Sequence, residues 1–246
     1  MLDFEGQTAI VTGGTRGIGK AIAEGFLKAG ARVIVTYSTN EAATAQFKQD
    51  NSQSAENIDI QKLDVSKYED VERFFKYVDT KYGSFEVLVN NAGIRKDSVL
   101  AMMKESDWHD VLNVNLTGIF YTCKFAVRSL MRKRYGRIIN ISSVMDRYAF
   151  EGQANYAASK AGLSALTKSL AKEVATRGIT VNCVSPGFIA TELIQDLPDK
   201  LREAYLDRIP MKRFGNTEEV AACVLFLASR EASYVTGSVF EVSGGL

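Results

Sequence analysis

Histidine, cysteine and long apolar runs are all scarce in this sequence, and each scarcity removes a class of function. The one histidine, His109, has no cysteine or histidine at ligand spacing, so it reads as a helix-surface residue and no metal site is expected. The three cysteines, Cys123, Cys183 and Cys223, are scattered and odd in number. They read as reduced, buried thiols and not as a disulfide frame. No run of about 18 apolar residues occurs, so no membrane span is expected. The start, Met1-Leu2-Asp3-Phe4-Glu5, lacks the basic head and apolar stretch of a signal peptide. Charge of one sign is also missing: 30 Lys and Arg against 29 Asp and Glu leave +1, which gives no support to nucleic acid or a membrane surface as a partner. These features suggest the cytoplasm. Nor is there a linker rich in Pro, Gly or Ser, a low-complexity tract or a repeat to divide the chain.

What is present is an alternation of strand and helix signals over 246 residues. Thr8–Val11 reads as a buried strand. It runs into Thr12-Gly13-Gly14-Thr15-Arg16-Gly17-Ile18-Gly19, and a helical pattern follows, with Ile18, Ile22, Phe26 and Leu27 on one face. Strand, glycine-rich turn and helix in that order let a pyrophosphate approach the backbone and meet the free N–H groups of a helix start. The spacing, Gly-x-x-x-Gly-x-Gly, differs from the common dinucleotide fingerprint. A second strand, Arg32–Thr36, leads to Tyr37-Ser38-Thr39 where an NAD site carries an acid for the ribose 2′-OH. With no acid there, and Arg16 in the turn, a 2′-phosphate is accommodated and NADP is favoured.

The alternation continues: a helix over 41–50, a strand ending Leu63-Asp64-Val65, a helix over 67–82, and a strand over 85–89 before Asn90-Asn91-Ala92-Gly93. A long helix is expected from Ser106 to Arg134, then a strand over 136–141 closing in Ser142-Ser143, a helix over 153–176, and a strand over 179–184 before Ser185-Pro186-Gly187. Residues 190–214, with Pro198 and Pro210, read as a helical flap, followed by a helix near 217–227 and a strand over 238–242. Repeated βα units predict an α/β fold: one doubly wound parallel sheet of about seven strands, helices on both faces, in a single domain spanning 1–246. Ligands in such folds bind beyond the carboxyl ends of the strands, where the glycine turn, Asp64, Asn90–Gly93, Ser142–Ser143 and Pro186-Gly187 fall.

Tyr156 and Lys160 lie four residues apart and so share a helical face, with Cβ atoms about 6 Å apart. A nearby ammonium favours a tyrosinate, so Lys160 is expected to pull the Tyr156 phenol from about 10 toward neutrality. A group so tuned can exchange a proton with a carbonyl or alcohol. Each feature also has a plainer reading. Tyr and Lys at this spacing occur on many surface helices, Ser142 or Ser143 could simply close a turn, and Asn115 could be an ordinary helix residue. Asp64 could be a helix N-terminal acid ahead of Ser66, while Arg132, Lys133, Arg134 and Arg177 could be cations at helix C-termini.

The run Thr12–Gly19, Asn90-Asn91-Ala92-Gly93, Asn115, Ser143, Tyr156-x-x-x-Lys160 and Pro186-Gly187, in this order and spacing, resembles the short-chain dehydrogenase/reductase family over essentially the whole chain. Asn91–Ile94, Asn155–Gly162 and Arg177–Asn182 most resemble its 3-oxoacyl-[acyl-carrier-protein] reductases of fatty acid synthesis. The resemblance implies a Rossmann fold and NADPH-dependent reduction of a 3-oxoacyl thioester. It makes Tyr156 the proton donor, Lys160 its activator and ribose ligand, and Asn115 the holder of a relay water. Ser143 is chosen over Ser142 by its spacing of 13 from Tyr156 and would hold the carbonyl oxygen. Gly13, Gly14, Thr15, Arg16 and Ile18 would cradle the diphosphate, and Arg16 with Ser38 would take the 2′-phosphate. Asp64 and Val65 would meet adenine, Asn91, Ala92 and Gly93 the adjoining ribose region, and Pro186, Gly187 and Ile189 the nicotinamide side.

By the same resemblance, Arg134 and Arg177 match positions that dock the acidic acyl carrier protein, and Arg95-Lys96 could serve a phosphate-bearing thioester. Both long helices carry apolar residues on more than one side, which suggests pairing between subunits, and the family implies a homotetramer. Two departures from the group stand out: Met145-Asp146-Arg147-Tyr148 is bulkier and more charged than the small, glycine-containing stretch expected there, and the chain stops a few residues early. They open the alternatives of acetoacetyl-CoA or another small ketone as substrate, and more remotely a non-enzymatic NADPH sensor.

Overall fold

A computed structural model describes residues 2–191 and 199–246. Seven parallel strands form one sheet: β1 (Thr8–Val11), β2 (Arg32–Tyr37), β3 (Ile58–Lys62), β4 (Val87–Asn90), β5 (Gly136–Ile141), β6 (Ile179–Pro186) and β7 (Val239–Val242). Their order across the sheet is β3-β2-β1-β4-β5-β6-β7, so successive strands are added toward one edge up to β3 and toward the other from β4 on, which puts the switch point between β1 and β4. In a strand successive side chains alternate between faces, and here both faces are apolar. Ala9, Val11, Val33, Val35, Val87, Val89, Ile139 and Ile141 meet α1 (Gly17–Lys28) and the last helix, α9 (Thr217–Ala228), through Ile22, Phe26, Val220 and Val224. Ile10, Ile34, Leu88, Ile138 and Val181 meet the opposite layer, which supplies Phe75, Ile119, Leu130 and Leu163. Covering on both faces explains why β1, β4, β5 and β6 are buried along their whole length.

The remaining α-helices among the described residues are α2 (Glu41–Asp50), α3 (Tyr68–Tyr82), α4 (Glu105–Leu112), α5 (Gly118–Lys133), α6 (Met145–Tyr148), α7 (Ala154–Val174) and α8 (Asp199–Arg208). Three boundaries differ from the sequence expectation. The long helix expected over 106–134 is two helices, α4 and α5, joined by a π turn over Asn113–Thr117. The extra residue in that turn brings Asn115 inward, and Gly118 follows where a Cβ would stand only 2.8 Å from the Val65 carbonyl oxygen. The third strand stops at Lys62 because Asp64 turns the chain: its Oδ1 accepts from the Ser66 amide (3.1 Å) and hydroxyl (2.7 Å). Helix α6 was not foreseen. Of the expected flap, α8 is a helix, whereas residues 192–198, with Pro198, lie outside the described residues.

Cys123 and Cys183 are buried as expected, but Cys223 is only half-buried. His109 is exposed on α4, 3.5 Å from Glu105. Among the described residues, no group of three or more His, Cys, Asp or Glu side chains comes together to hold a metal. None of the described helices is long and apolar enough to cross a membrane.

The outer strand β3 is pinned by a polar knot. The Asp59 carboxylate accepts from Tyr77 Oη (2.7 Å), Tyr82 Oη (2.8 Å), Lys81 Nζ (3.1 Å) and Gln61 Nε2 (2.7 Å). Burial pushes the carboxyl up, but these donors outweigh it and hold Asp59 below the usual carboxylate range. A lowered folded value contributes stability above the unfolded value near 4, which is lost as pH falls through the folded one. Asp59→Asn should therefore lower the unfolding free energy by about 1–2 kcal/mol at pH 7. In urea titrations the gap between the two proteins should narrow below about pH 4.

Candidate active site

The ends of β1 and β4 are laced together. Thr12 Oγ1 accepts from the Asn91 amide (3.0 Å) and the Ala92 amide (3.1 Å), and Asn91 Nδ2 donates back to the carbonyls of Thr12 and Gly13 (3.0 Å each). A side chain cannot be fitted into this lacing at Gly19, where a Cβ would lie 2.2 Å from Gly13 O. Gly13, at φ +63°, sits in the left-handed region that favours glycine. Behind Arg16, α1 opens with no side-chain cap and no acid in its first turn, so its leading N–H groups are left for an anion. The Gly14 amide donates to Thr36 O (3.0 Å), which sets the loop against the end of β2 and the exposed Ser38. These residues fit a dinucleotide diphosphate.

Other expected cofactor residues fall around the same edge. Thr15 and Val65 are buried, Ile18 and Ala92 half-buried, and Gly93 exposed. Gly187 leaves the sheet where a Cβ would be 2.8 Å from Ser243 Cα, and buried Ile189 bridges to Gly215. Two side chains face elsewhere than expected. The Asn91 amide is turned into the glycine loop, and the Asp64 carboxylate serves its own turn, with Lys67 Nζ 3.6 Å away.

Ser143, Tyr156 and Lys160 converge beside this cradle. Ser142 and Ser143 diverge at the end of β5: Ser142 Oγ donates to the Lys160 carbonyl (3.2 Å), whereas Ser143 Oγ accepts from the Met145 amide (3.3 Å) and acts on the Tyr156 phenol, whose pKa it lowers. Asn115, fully buried in the π turn, binds Ile94 through both ends of its amide (2.8 and 2.9 Å) and donates to Ser159 Oγ (3.2 Å). Ser159 in turn donates to the Tyr156 carbonyl (2.7 Å). A Cβ built on Gly93 would stand 3.3 Å from Asn115 Oδ1 and 3.8 Å from Lys160 Nζ, so the open face of Gly93 joins the two residues.

The electrostatics differ from the simple expectation. Tyr156 is raised above its ordinary value, chiefly by burial, against the Ser143 hydrogen bond and the Arg95 guanidinium, which lower it. Lys160, brought to about 8, has given up its proton before the raised phenol ionises, so it does not depress it here; its Nζ donates to Ile141 O (2.8 Å) and lies 5.5 Å from the ring centroid of Tyr156. Lys160 is itself only 4% exposed, and burial pulls its ammonium down to about 8, opposed by Cys183 and Asp146.

A family model described as Enoyl-(Acyl carrier protein) reductase matches residues 13–246. Over 247 aligned residues, covering 100% of this chain and 99% of the relative, the sequence is 45% identical to the 3-oxoacyl-[acyl-carrier-protein] reductase FabG of Vibrio cholerae serotype O1. The chain belongs to the short-chain dehydrogenase/reductase family. The Thermotoga maritima protein named 3-oxoacyl-[acyl-carrier-protein] reductase FabG is 46% identical, with 99% of this chain and 98% of the relative covered. Among solved structures, a putative gluconate dehydrogenase from Agrobacterium tumefaciens superposes with TM-score 0.94 at 32% identity, covering 98% of this chain and 96% of that one.

On the substrate side, this short-chain dehydrogenase/reductase has features that sequence reading missed. Phe150, Phe188 and Tyr205 stack nearly parallel, with centroids 5.9 Å apart for Phe150–Phe188 and 4.3 Å for Phe188–Tyr205. Arg208 caps Phe150 at 5.0 Å, so α8 is clasped to the loops before α7 and after β6. Only the topology unites these four residues; a signal was available in that Phe150 and Phe188 both flank motif residues. The Arg95-Lys96 pair is already neutralised: Arg95 meets Asp97 (3.1 Å), and Lys96 meets Asp107 (2.8 Å) and Asp110 (2.7 Å). Arg134 and Arg177 are both exposed, and Arg134 Nη2 lies 3.5 Å from the Thr176 carbonyl, beside Arg177. Arg132 and Lys133 instead pair with Asp79 and Glu86.

The Lys160 ammonium is charged in both folded and unfolded chains below about pH 8, so folding there carries its full desolvation. As pH rises, the folded chain sheds this proton first, near 8, and the unfolded chain near 10.5, so the penalty fades between those values. In thermal melts the Tm of the wild type, relative to Lys160→Met, should therefore climb between pH 8 and pH 10.

Proposed function

We propose that this protein reduces a 3-oxoacyl thioester, carried on acyl carrier protein, to the 3-hydroxyacyl thioester with NADPH, as a step of fatty acid synthesis. The observation that carries this reading is the Lys160 ammonium over the Tyr156 ring, with Ser143 acting on the same phenol, at the strand ends beside a glycine cradle. It stands in a chain whose full-length relatives are named for that reaction.

NADPH, when bound, supplies the hydride. Gly13, Gly14, Thr15 and the first turn of α1 hold its diphosphate, while Arg16 and Ser38 take the 2′-phosphate. Ser143 donates to the substrate carbonyl oxygen and stabilises the charge that develops on it. Tyr156 delivers its proton to the same oxygen, so no free alkoxide forms. Lys160 steadies the tyrosine as its charge changes and binds the ribose. Asn115 fixes the loop that carries Gly93 and holds the relay of protons back to Lys160. Two hydroxyls aimed at one oxygen suit carbonyl reduction; reduction of an enoyl group would need its proton on carbon.

Arg134 and Arg177 form the exposed cationic site for the carrier protein. Phe120, 47% exposed on α5, and the exposed Ala161 and Ala165 on α7 are available for helix pairing in a homotetramer. The working unit is one dinucleotide-binding domain over 1–246, with the flap of 190–214 on its substrate side, acting in the cytoplasm. The bulk of Met145–Tyr148 and the aromatic clasp favour, as a second reading, acetoacetyl-CoA or a small polar ketone.

Tyr156→Phe should keep NADPH affinity while losing at least about 100-fold in turnover, the size expected of acid catalysis. NADPH oxidation over a panel of carrier-bound and CoA-bound 3-oxoacyl thioesters measures this. Carrier-bound substrates should be preferred; equal turnover on CoA thioesters would favour the second reading, and undiminished turnover in Tyr156→Phe would exclude both.

A further inference from the structure

Helix α6 begins two residues after Ser143, in the stretch whose charge departs from the small residues expected there. Its Asp146 amide donates to Ser143 O (3.0 Å), and the side chain turns toward α7. One carboxylate oxygen, Oδ2, accepts from Ser164 Oγ at 2.6 Å. The other, Oδ1, is buried with no hydrogen-bond partner among the described residues. Ser164 lies one helical turn beyond Lys160. Ser142 Oγ lies 3.5 Å from Ser164 Oγ and donates to the Lys160 carbonyl, and Lys160 Nζ donates to Ile141, the residue before Ser142. Two serine hydroxyls thus link the carboxylate to the Lys160 backbone carbonyl, while the ammonium reaches the end of β5 at Ile141.

A carboxylate oxygen buried without a partner costs free energy unless a nearby charge offsets it. The neighbouring cation on α6 does not: Arg147 turns to Glu241 of β7 at 2.7 Å. On β6, Cys183 is a neutral thiol, pushed up to about 11 by burial. On α7, burial keeps Tyr156 protonated at neutral pH, and the Arg95–Asp97 pair acts on Tyr156 rather than on Lys160. Among the described groups that bear on this pocket, Lys160 is the cation left to face Asp146.

We propose that Asp146 is a positioning residue for Lys160, a half-buried counter-charge that holds the ammonium in its protonated form beside Tyr156. The direction of its influence agrees: Cys183 and, after it, Asp146 favour the charged lysine against the burial that brings it to about 8, and with Cys183 a neutral thiol at that pH Asp146 is the group that carries charge. A chain lacking this carboxylate would lose the Lys160 proton nearer to neutral pH. The consequence for turnover rests on the catalytic roles proposed above, but the pairing itself can be measured without substrate.

The test is a pH titration of the full-length protein with isotope-labelled lysine side chains, followed by NMR, with the Lys160 resonance assigned through Lys160→Arg. The wild-type midpoint should lie near 8. Asp146→Asn, which retains an acceptor for Ser164, should lower it by about one pH unit, and Asp146→Glu should restore it. Asp146→Gly is the second charge-removing variant and should act in the same direction, so a folding failure in one still leaves a reading. Ser164→Ala removes the bridge but not the charge and should keep most of the wild-type value. The alkaline limb of kcat for NADPH oxidation should move to lower pH in Asp146→Asn in step with the NMR midpoint. An unchanged midpoint in the neutral variants, or a drop in Ser164→Ala as large as in Asp146→Asn, would overturn the proposal. A lowered midpoint combined with full turnover in Tyr156→Phe would sink the catalytic reading and leave the pairing intact.

Discussion

Lys160 carries its ammonium into a site from which water is almost excluded, and much of the surrounding architecture keeps that cation supplied with partners. The carbonyl of Ile141 takes one of its protons because β5 ends there and leaves an oxygen for it. The π turn exists where Asn115 must reach the backbone of Ile94, which brings Gly93 against both Asn115 and Lys160. Tyr156 sits over the same group, with the ammonium 5.5 Å from the centre of its ring. Burial alone drives phenol and ammonium in opposite directions, each toward its neutral form. The chemistry therefore depends on further charges that reverse this tendency.

The sheet was legible in the sequence because its strands are short, apolar and closed by turns of glycine, asparagine or serine. The cradle was legible for the same reason: Gly13 and Gly19 have no substitute where the loops after β1 and β4 interlock. What could not be read concerns side-chain direction. Asn91 and Asp64 stand where expected but turn inward, to the glycine loop and to Ser66, because backbone groups there need partners. The break between α4 and α5 was hidden because Val111, Leu112, Leu116 and Ile119 keep a helical rhythm straight through the π turn. Four-residue spacing put Tyr156 and Lys160 on one face, yet spacing carries no information on desolvation, and desolvation decided the sign of the tyrosine shift.

The substrate side shows how one scaffold accommodates different molecules. A protein described as a putative gluconate dehydrogenase shares this backbone, and a protein named 3-oxoacyl-[acyl-carrier-protein] reductase shares 45% of the sequence, so the fold alone does not select a substrate. On the reading proposed above, selection would fall to what stands over the carboxyl ends of β5 and β6. Here that is α6, tied by Arg147 to Glu241, and the clasp of Phe150, Phe188 and Tyr205 beneath Arg208. These contacts join segments far apart in the chain, which is why composition and periodicity did not reveal them.

The account stands or falls on whether the buried phenol answers to positive charge. The direct measurement is the ultraviolet difference titration of wild type against Tyr156→Phe, carried out with and without NADP+. The Tyr156 phenol should ionise above 10 in the protein alone, and well below that value once the cationic nicotinamide of NADP+ is bound. Ionisation at the same pH under both conditions would contradict the account.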